Sequence, residues 1–360
     1  MPLNSFKCTD FRCLESAELE LDPRYNLIFG PNASGKTSLL EAIAYLGRGR
    51  SFRGAPTQSL LRHGASEFVL FGKADAGARE AAIGVRNSRE GLEIHIGGDK
   101  VASAAGLADV LPLQIVDPDI HNLIAGGPEQ RRRYIDWIAF HVEQGYLEHW
   151  RRFRRALKQR NAALKENASP EALAGWDKEF TETAREVHEA RLRVLDITRP
   201  ALEEIGTVLL GSAVNVEYQQ GWSADKSLAA ALAAGIDRDQ QLGSTQAGPH
   251  RADLKLVYDE RQARRLVSRG QQKLLASALI LAATEVVQSH LERPLLLLLD
   301  DPAAELDNDS LTRLMAAVVA LGCQVIATSL DPDLVLFPEP PTMFHVEQGD
   351  VVEYTAIDSG

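Results

Sequence analysis

A glycine-rich segment that ends in lysine and threonine is the clearest chemical pattern in this sequence. Gly30 is followed at a fixed spacing by Gly35, Lys36 and Thr37, which fits the phosphate-binding pattern Gly-x-x-x-x-Gly-Lys-Thr/Ser. Glycines let consecutive backbone N–H groups approach phosphate oxygens at a helix N-terminus. Lys36 would reach the β- and γ-phosphates as a catalytic cation, and the Thr37 hydroxyl would ligate Mg²⁺. The predicted ATP-binding residues are Gly30, Pro31, Asn32, Ala33, Ser34, Gly35, Lys36, Thr37 and Ser38.

A strand and a helix must hold this loop. The apolar run Tyr25–Phe29 predicts a buried strand that enters the loop, and apolar residues at helical spacing from Leu39 to Leu46 predict a helix that leaves it. The following segment, Gly47–Gly54, carries three arginines among glycines. Two interpretations of this segment stay open, a contact with phosphate or sugar and a solvated loop.

Two adjacent carboxylates follow a second apolar run. Leu295–Leu299 predicts a buried strand that delivers Asp300 and Asp301 at its C-terminal end, where open parallel sheets bind their ligands. Asp300 is predicted to hold Mg²⁺ and Asp301 to orient or deprotonate the attacking water. Gln114, in the strand-like segment Leu111–Val116, is a further candidate for the metal or the water, with a purely structural role as the alternative.

A second anion site is predicted before another helical pattern. Ser268, Arg269, Gly270 and Gln271 resemble the signature motif of ABC-type ATPases, with Arg269 in place of a glycine. In that class the motif meets the γ-phosphate held by the opposite subunit, so that ATP binding drives dimerisation. Ala304, Glu305, Leu306 and Asp307 resemble the D-loop that crosses such an interface. The apolar segment Val325–Ser329 ends in Thr328 and Ser329, where many ABC proteins have a switch histidine.

The net charge of −11 argues against nucleic-acid binding by the protein as a whole, because phosphate contacts need basic residues. Between Glu129 and Lys165, however, there are ten basic residues and four acids. This local excess predicts a surface for nucleic acid or an acidic partner, with a solvated helix face as the alternative. The DNA-binding candidates are Arg131, Arg132, Arg133, Arg151, Arg152, Arg154, Arg155 and Lys158.

The periodicity predicts an α/β protein with two lobes. Residues 1–115 and 270–360 are assigned to an ATP-binding lobe that includes an antiparallel β subdomain, and residues 116–269 to a helical lobe. A short helical hairpin arm is expected at about 129–199, with the signature motif at the return end of that lobe. The sequence starts with a strand pattern rather than an apolar leader, so we expect a cytoplasmic protein without a membrane partner.

The motif order and the strings that connect the motifs resemble the RecF family of bacterial DNA replication and repair proteins, which is related to the ATPase heads of SMC and Rad50 proteins. The resemblance covers almost the whole chain. The strings that carry it are Gly30–Thr37, Gly49–Arg53, Gly126–Asp136, Gly248–Arg251, Ser268–Lys273 and Asp300–Asp307. The family usually has a serine at position 304 and an aliphatic or aromatic residue at position 302, so Ala304 and Pro302 are departures.

This resemblance implies a weak, DNA-stimulated ATPase that uses ATP and Mg²⁺ and dimerises with ATP. It also implies binding to double-stranded DNA near single-strand gaps and cooperation with RecO and RecR to load RecA. Two other functions remain as alternatives. One is an ATP-binding scaffold without hydrolysis, and the other is the nucleotide-binding subunit of a transporter.

Overall fold

The computed structural model describes residues 3–75, 80–258, 261–262 and 268–354. The chain divides into two compact units. The first comprises Met1–Ile120 and Glu292–Gly360, and the second comprises His121–Leu291. The described strands of the first unit are β1 (Leu3–Phe11), β2 (Leu14–Glu20), β3 (Tyr25–Phe29), β4 (Glu67–Asp75), β5 (Glu80–Ser88), β6 (Gly91–Ile96), β7 (Asp99–Val101), β8 (Leu113–Val116), β12 (Leu296–Leu299), β13 (Gln324–Ser329), β14 (Thr342–Glu347) and β15 (Asp350–Tyr354). Its helices are α1 (Lys36–Arg48), α2 (Ala105–Val110) and α10 (Asn308–Ala320).

A mostly parallel sheet carries the predicted nucleotide site. Its order is β15-β14-β3-β13-β12-β8, and all neighbours are parallel except β15 with β14. The register aligns Phe29 of β3 with Ser329 of β13, and Leu299 of β12 with Val116 of β8. The residues that follow β3, β12 and β8 therefore meet at one edge, which explains why motifs far apart in sequence form one site.

Helix α1 contacts strands of this sheet and of a second, antiparallel sheet with the order β2-β1-β4-β5-β6-β7. The apolar side of α1, including Leu39, Ile43 and Leu46, is fully buried in a core to which both sheets contribute. The helix and β4 approach closely at Gly72, where a Cβ would lie 2.5 Å from Leu46 Cδ2. The predicted antiparallel β subdomain beside the nucleotide core is therefore confirmed.

The second unit is mainly helical. Its described helices are α3 (Asn122–Ala125), α4 (Pro128–Val142), α5 (Tyr146–Lys165), α6 (Pro170–Leu210), α7 (Leu228–Ala234), α8 (Ile236–Leu242) and α9 (Arg269–Leu291). A small sheet with the order β11-β10-β9 is formed by β9 (Val214–Gln219), β10 (Asp253–Tyr258) and β11 (Arg261–Gln262). Helices α5 and α6 pack against each other through Phe153 and Phe180, whose ring centroids are 5.5 Å apart. This pair is the predicted hairpin, while α4 is a separate helix.

Helix α9 is long and apolar enough to cross a membrane by length and composition. It is instead mostly buried inside the second unit, where it contacts α3, α4 and α6. The sequence-based boundary at residue 270 assigns this helix to the ATP-binding lobe, whereas the observed units divide at Leu291. The difference arises because α9 is apolar on nearly all sides, and a helix of that kind belongs to the unit that surrounds it.

Candidate ATP site at the carboxyl edge of the parallel sheet

The loop between β3 and α1 has the backbone that a phosphate-binding loop requires. Gly30 and Gly35 have φ angles of +152° and +120°, which side chains with a Cβ rarely adopt. A Cβ on Gly30 would also lie 2.2 Å from the carbonyl oxygen of Val346 in β14. Helix α1 begins without a side-chain cap and without an acidic residue in its first turn. Its N-terminal N–H groups are thus left for an external anion.

The remaining loop residues surround this backbone. Pro31, Asn32 and Ala33 are exposed, while Ser34 is buried and its hydroxyl has no hydrogen-bond partner within the described residues. Lys36 Nζ donates to the carbonyl oxygens of Gly30 and Pro31, at 2.7 and 2.8 Å. Partial burial lowers the pKa of Lys36, and the charges of Asp301 and Asp300 oppose that shift. The Lys36 ammonium therefore lies against its own loop, and its contact with the terminal phosphates stays a prediction.

Thr37 and Asp300 are brought together although 263 residues separate them in sequence. Thr37 Oγ1 donates to Asp300 Oδ1 at 3.0 Å. Thr328, at the end of β13, donates to the same oxygen at 2.9 Å and accepts a hydrogen bond from the Asp301 backbone N–H at 2.8 Å. The Thr328 hydroxyl thus links the Asp300 carboxylate to the backbone of Asp301. Ser329 instead bonds locally with the backbone of Asp331.

The two acids have different surroundings. Burial raises the pKa of Asp300, the charge of Asp301 adds to that rise, and the hydrogen bonds from Thr328 and Thr37 and the charge of Arg53 oppose it. Asp301 is more exposed and has a left-handed backbone with φ of 48°. Strained backbone of this kind is common where a side chain must be aimed. The chain thus offers one buried carboxylate beside Thr37 and a second, half-buried carboxylate whose charge acts on Lys36.

These oxygens fit Mg²⁺, which prefers hard oxygen ligands and usually takes only one or two protein carboxylates with substrate phosphates and waters. The donors that fit are the Thr37 hydroxyl and the Asp300 carboxylate, which already lie within hydrogen-bonding distance. Among the described residues no group of three or more His, Cys, Asp or Glu side chains forms an all-protein metal site. When bound, the ion would neutralise negative charge on the phosphates and polarise them for attack.

Gln114 lies on β8, and its side chain is only 5% exposed. Its Oε1 accepts a hydrogen bond of 3.4 Å from Arg48 Nη2, and the same nitrogen donates to the Leu113 carbonyl at 3.2 Å. The structure therefore directs the Gln114 oxygen toward Arg48 rather than toward Thr37 and Asp300. The predicted role at the metal or the water requires that this oxygen leave Arg48.

Asp117 is a further carboxylate at the same edge and belongs to none of the sequence motifs described above. It follows β8 as Asp300 follows β12, and the Asp300 N–H donates to the carbonyl of Val116, the residue before it. Burial, followed by the charges of Asp119 and Asp300, raises the pKa of Asp117 to about 6. The rule that located Asp300, a polar residue after a buried parallel strand, would have located Asp117 as well.

The signature-like motif begins α9 in the second unit. Ser268 Oγ accepts from the Gln271 N–H at 3.3 Å, and Gln271 Oε1 accepts from the Ser268 N–H at 3.0 Å. This reciprocal pair is a capping box. Ser268, Arg269 and Gln271 are exposed, and Gly270 is half-buried. The motif therefore shows a capped helix N-terminus on the surface of its unit.

The D-loop-like segment lies between the acids and α10 in the first unit. Ala304 N–H donates to the Asp301 carbonyl at 3.1 Å, and Glu305 is exposed with φ of 66°. Leu306 is half-buried, and Asp307 is the N-cap of α10, accepting from Ser310 N–H at 2.7 Å. Asp307 thus has a structural function in its own unit, and the exposed tip of the segment is Glu305.

The comparisons with known proteins agree with this geometry. Residues 2–349 match the family model described as the RecF/RecN/SMC N terminal domain. The chain is 38% identical to the DNA replication and repair protein RecF of Pseudomonas aeruginosa strain LESB58. The alignment covers the whole length of both proteins. The chain belongs to the RecF family.

Solved structures agree with the family assignment. A structure of the recombination mediator protein RecF with ATP in the RecFOR pathway has a TM-score of 0.89 and 25% identity, with 98% of each chain covered. An Smc head bound to the C-terminal winged-helix domain of ScpA has a TM-score of 0.61 and 16% identity, covering 99% of this chain and 98% of that one. The predicted fold, an α/β ATPase head with a helical lobe, is therefore confirmed.

The basic residues predicted to bind DNA in this RecF-family chain differ in burial and in their partners. Arg131 is 3% exposed, and its guanidinium binds Asp253 and the carbonyls of Leu123, Ile124 and Gly126. This burial corrects the prediction for Arg131, which holds α4 in its unit and is not free to meet phosphate. Arg132 is half-buried and donates to the Ala252 carbonyl, and exposed Arg133 pairs with Glu129.

The five candidates on α5 are exposed. Arg152 lies 3.6 Å from Glu179, and the Arg154 guanidinium lies 5.4 Å from the ring centroid of Trp150. Arg155 and Lys158 form no ion pair with any part of the chain that the structure describes. Together with Arg151 they follow one another at spacings of four and three residues, which places all three on one face of the helix. We call these three residues the basic stripe.

Proposed function

We propose that this chain is an ATP-binding and ATP-hydrolysing protein of DNA replication and repair. The carrying observation is the bond between Thr37 of the glycine loop and Asp300, with Thr328 bonded to both acids. ATP and Mg²⁺ are the proposed ligands. The names of the relatives, a DNA replication and repair protein and a recombination mediator protein in the RecFOR pathway, support the process in which we place it.

In the proposed mechanism, the N–H groups of the loop and of the first turn of α1 bind the phosphates, and Lys36 adds a cation at the terminal phosphates. Thr37 and Asp300 hold the metal ion. Asp301, outside the enclosed position, orients the attacking water and accepts its proton. Gln114 joins the site when its oxygen leaves Arg48.

We further propose that ATP joins two copies of the chain. The capped N-terminus of α9, with Ser268, Arg269, Gly270 and Gln271, would cover the triphosphate of the second copy. The dipole of α9, whose positive end lies at this first turn, supplies the attraction for the γ-phosphate. Segment 304–307 would lie at the same interface, with Glu305 at its exposed tip.

For DNA, we propose the basic stripe as the first contact. Arg151 to Lys158 covers about 10 Å of helix, which corresponds to about three phosphates along one strand of duplex DNA. Duplex DNA near single-strand gaps is the proposed substrate, with RecO and RecR as partners in loading RecA and slow, DNA-stimulated hydrolysis in the cytoplasm. These finer points rest on the resemblance of the motif strings to the RecF family.

The test measures dimerisation and duplex affinity together, with and without ATP and Mg²⁺, across a salt series. We expect ATP to produce a dimer in light scattering and to strengthen duplex binding, and Lys36→Met to abolish both effects. Phosphate release, with Asp301→Asn as the control, separates an active enzyme from an ATP-binding scaffold. A chain that stays monomeric with ATP, or a Lys36→Met variant that keeps ATP-dependent duplex binding, would refute the proposal.

The role of the basic stripe is tested by comparing two double variants that remove the same charge. Arg155→Ala/Lys158→Ala should weaken duplex binding about tenfold and reduce the slope of log affinity against log salt by about two, since each phosphate contact contributes roughly one. Arg185→Ala/Arg199→Ala removes the same charge from exposed arginines of α6 that pair with acids. Equal effects of the two double variants would show that net charge, rather than the stripe, governs binding.

A further inference from the structure

A turn in the second unit carries the Gly-Pro-His-Arg string, which has no part in the function proposed above. We call residues 245–252 the clamped turn, because buried arginines of two helices hold it. Arg160 of α5 donates to Thr245 Oγ1 at 2.8 Å, and Arg191 of α6 donates to the Pro249 carbonyl at 2.7 Å. Both arginines are at most 2% exposed. Two charged side chains are thus kept out of water at the contact with this turn.

Other contacts fix the backbone of the clamped turn further. The Gln246 N–H donates at 2.9 Å to Asp239 Oδ1 of α8, and the other oxygen of that carboxylate accepts from Arg160 at 2.6 Å. Gly221 approaches so closely that a Cβ there would lie 2.3 Å from the Gly248 carbonyl oxygen. Helices α5, α6 and α8 therefore set the course of the turn together.

Arg251 is the exposed arginine of this turn, and neutral oxygens fix its direction. Its Nη2 donates to Gln246 Oε1 at 2.9 Å, and its Nε donates to the Thr245 carbonyl at 3.4 Å. The Gln246 amide is itself held, because its Nε2 donates to the carbonyl and the hydroxyl of Ser244 at 2.9 and 2.8 Å. Within the part of the chain that the structure describes, Arg251 has no acidic partner. Its guanidinium is therefore oriented without being neutralised.

Other exposed arginines of this unit pair with acids of the chain. Arg133, Arg185 and Arg193 each bond a glutamate. An oriented guanidinium with its full charge suits an external anion, because its planar fork matches two phosphate oxygens. Little side-chain freedom remains to be lost when such a group binds. The setting of Arg251 thus indicates a binding contact.

The clamped turn lies against α5, the helix that carries the basic stripe. The ring centroid of His250 is 6.3 Å from that of Phe153 of α5. Arg154, the next residue, is three or four positions from each residue of the stripe except its neighbour, so it borders the stripe on the helix surface. Burial lowers the pKa of His250, and the charges of Arg251 and Arg154 add to that shift. The turn and the stripe therefore offer positive charge beside the same helix.

We propose that Arg251 is a phosphate contact for the duplex DNA that binds the basic stripe, and that Gln246 is the positioning residue that orients its guanidinium. This inference rests on the proposed DNA contact and adds two residues to it. The competing interpretation is that Arg251 only stabilises its own turn. That interpretation predicts less stable variants with unchanged duplex affinity, whereas an oriented contact predicts weaker binding by folded variants, including one in which no charge is lost.

The experiment measures the dissociation constant of duplex DNA for the full chain with ATP and Mg²⁺, across a salt series. Arg251→Ala should weaken binding about fivefold and reduce the slope of log affinity against log salt by about one, the contribution of one phosphate contact. Gln246→Ala keeps every charge, so we expect about threefold weaker binding with an unchanged slope, because the guanidinium must then be ordered on binding. Arg251→Lys should keep the slope and recover only part of the affinity, because an ammonium lacks the planar fork.

The matched control is Arg185→Ala, which removes the same charge from an exposed arginine that pairs with Glu186 and should bind as the wild type does. Urea unfolding gives the stability of each variant, and Arg251→Lys covers the case in which Arg251→Ala folds poorly. Equal effects of Arg251→Ala and Arg185→Ala, or wild-type affinity in a folded Gln246→Ala protein, would overturn the inference while duplex binding by the wild type stands. No duplex binding by the wild type would instead refute the proposed DNA contact, and this inference with it.

Discussion

Replacing Thr328 with valine tests the arrangement of the two acids with the smallest change of shape. The Thr328 hydroxyl is buried, donates to Asp300 and accepts from the Asp301 N–H. The variant loses a hydrogen bond to a carboxylate, worth about 1.5–3 kcal/mol, and a bond to a backbone N–H, worth about 1 kcal/mol. We therefore expect about 2–4 kcal/mol lower free energy of unfolding, or a melting temperature lower by roughly 5–12 °C for a unit of this size.

Activity should fall along with stability. The Thr328 bond opposes the rise in the pKa of Asp300, so its loss raises that pKa further. It also removes a hydrogen bond that holds the carboxylate beside Thr37, so steady-state phosphate release should decline.

The control for this prediction is Thr284→Val. Thr284 is equally buried, and its hydroxyl donates to the Ile280 carbonyl within α9. That change should cost less than about 1 kcal/mol, because the helix already uses this carbonyl. Urea unfolding followed by far-ultraviolet circular dichroism gives both values. A Thr328→Val protein no less stable than Thr284→Val, with normal phosphate release, would show that the bridging hydroxyl does not hold the acids.

Two predictions concern pH. The pKa of Asp117 is raised to about 6 from its ordinary value near 4, so the folded state loses stability as the pH rises from about 4 to 6. Between pH 4.5 and 7.5 the free energy of unfolding of Asp117→Asn, measured in urea, should rise by about 2 kcal/mol relative to that of the wild type. Replacement of the exposed Asp99 with asparagine should show no such trend. Burial lowers the pKa of His250 to about 4, below its value in the unfolded chain, so stability is lost as pH falls from about 6.5 toward 4. His250→Phe should be less stable at pH 7.5, where it lacks the bond to the Thr245 carbonyl, but should lose about 2 kcal/mol less than the wild type on acidification. Parallel pH curves for variant and wild type would contradict either prediction.

The phosphate loop and the acid pair could be predicted because both depend on short strings beside buried strands. Apolar runs gave β3 and β12, and parallel strands present their C-terminal ends at one edge, so Thr37 and Asp300 had to be near neighbours. The sequence could not predict that Thr328, and not Ser329, contacts the acid pair. Adjacent residues at a strand end face different ways, and only the register and the local turn at Asp331 decide between them.

For the basic residues, the sequence could not predict which side chains are exposed. Arg131 and Arg155 look alike in sequence, yet one is buried against Asp253, which lies 122 residues away, and the other is exposed. Counting charges along the sequence cannot distinguish the two arginines, because the count gives no information about partners that are distant in sequence. The same applies to Glu41, a single acidic residue in an apolar helix, whose partners Arg12 and Ser51 are known only from the structure.

The acidic total and the proposed DNA contact can be reconciled by the range over which charges act. At physiological salt the Debye length is about 8 Å, so duplex DNA close to α5 experiences the basic stripe and little of the remaining negative charge. At about 0.01 M salt that length grows to about 30 Å, and the net charge of −11 then contributes repulsion. Affinity should therefore rise as salt is lowered and then flatten, instead of following one straight line. The slope used to compare the stripe variant with its control must come from the linear part above about 0.1 M.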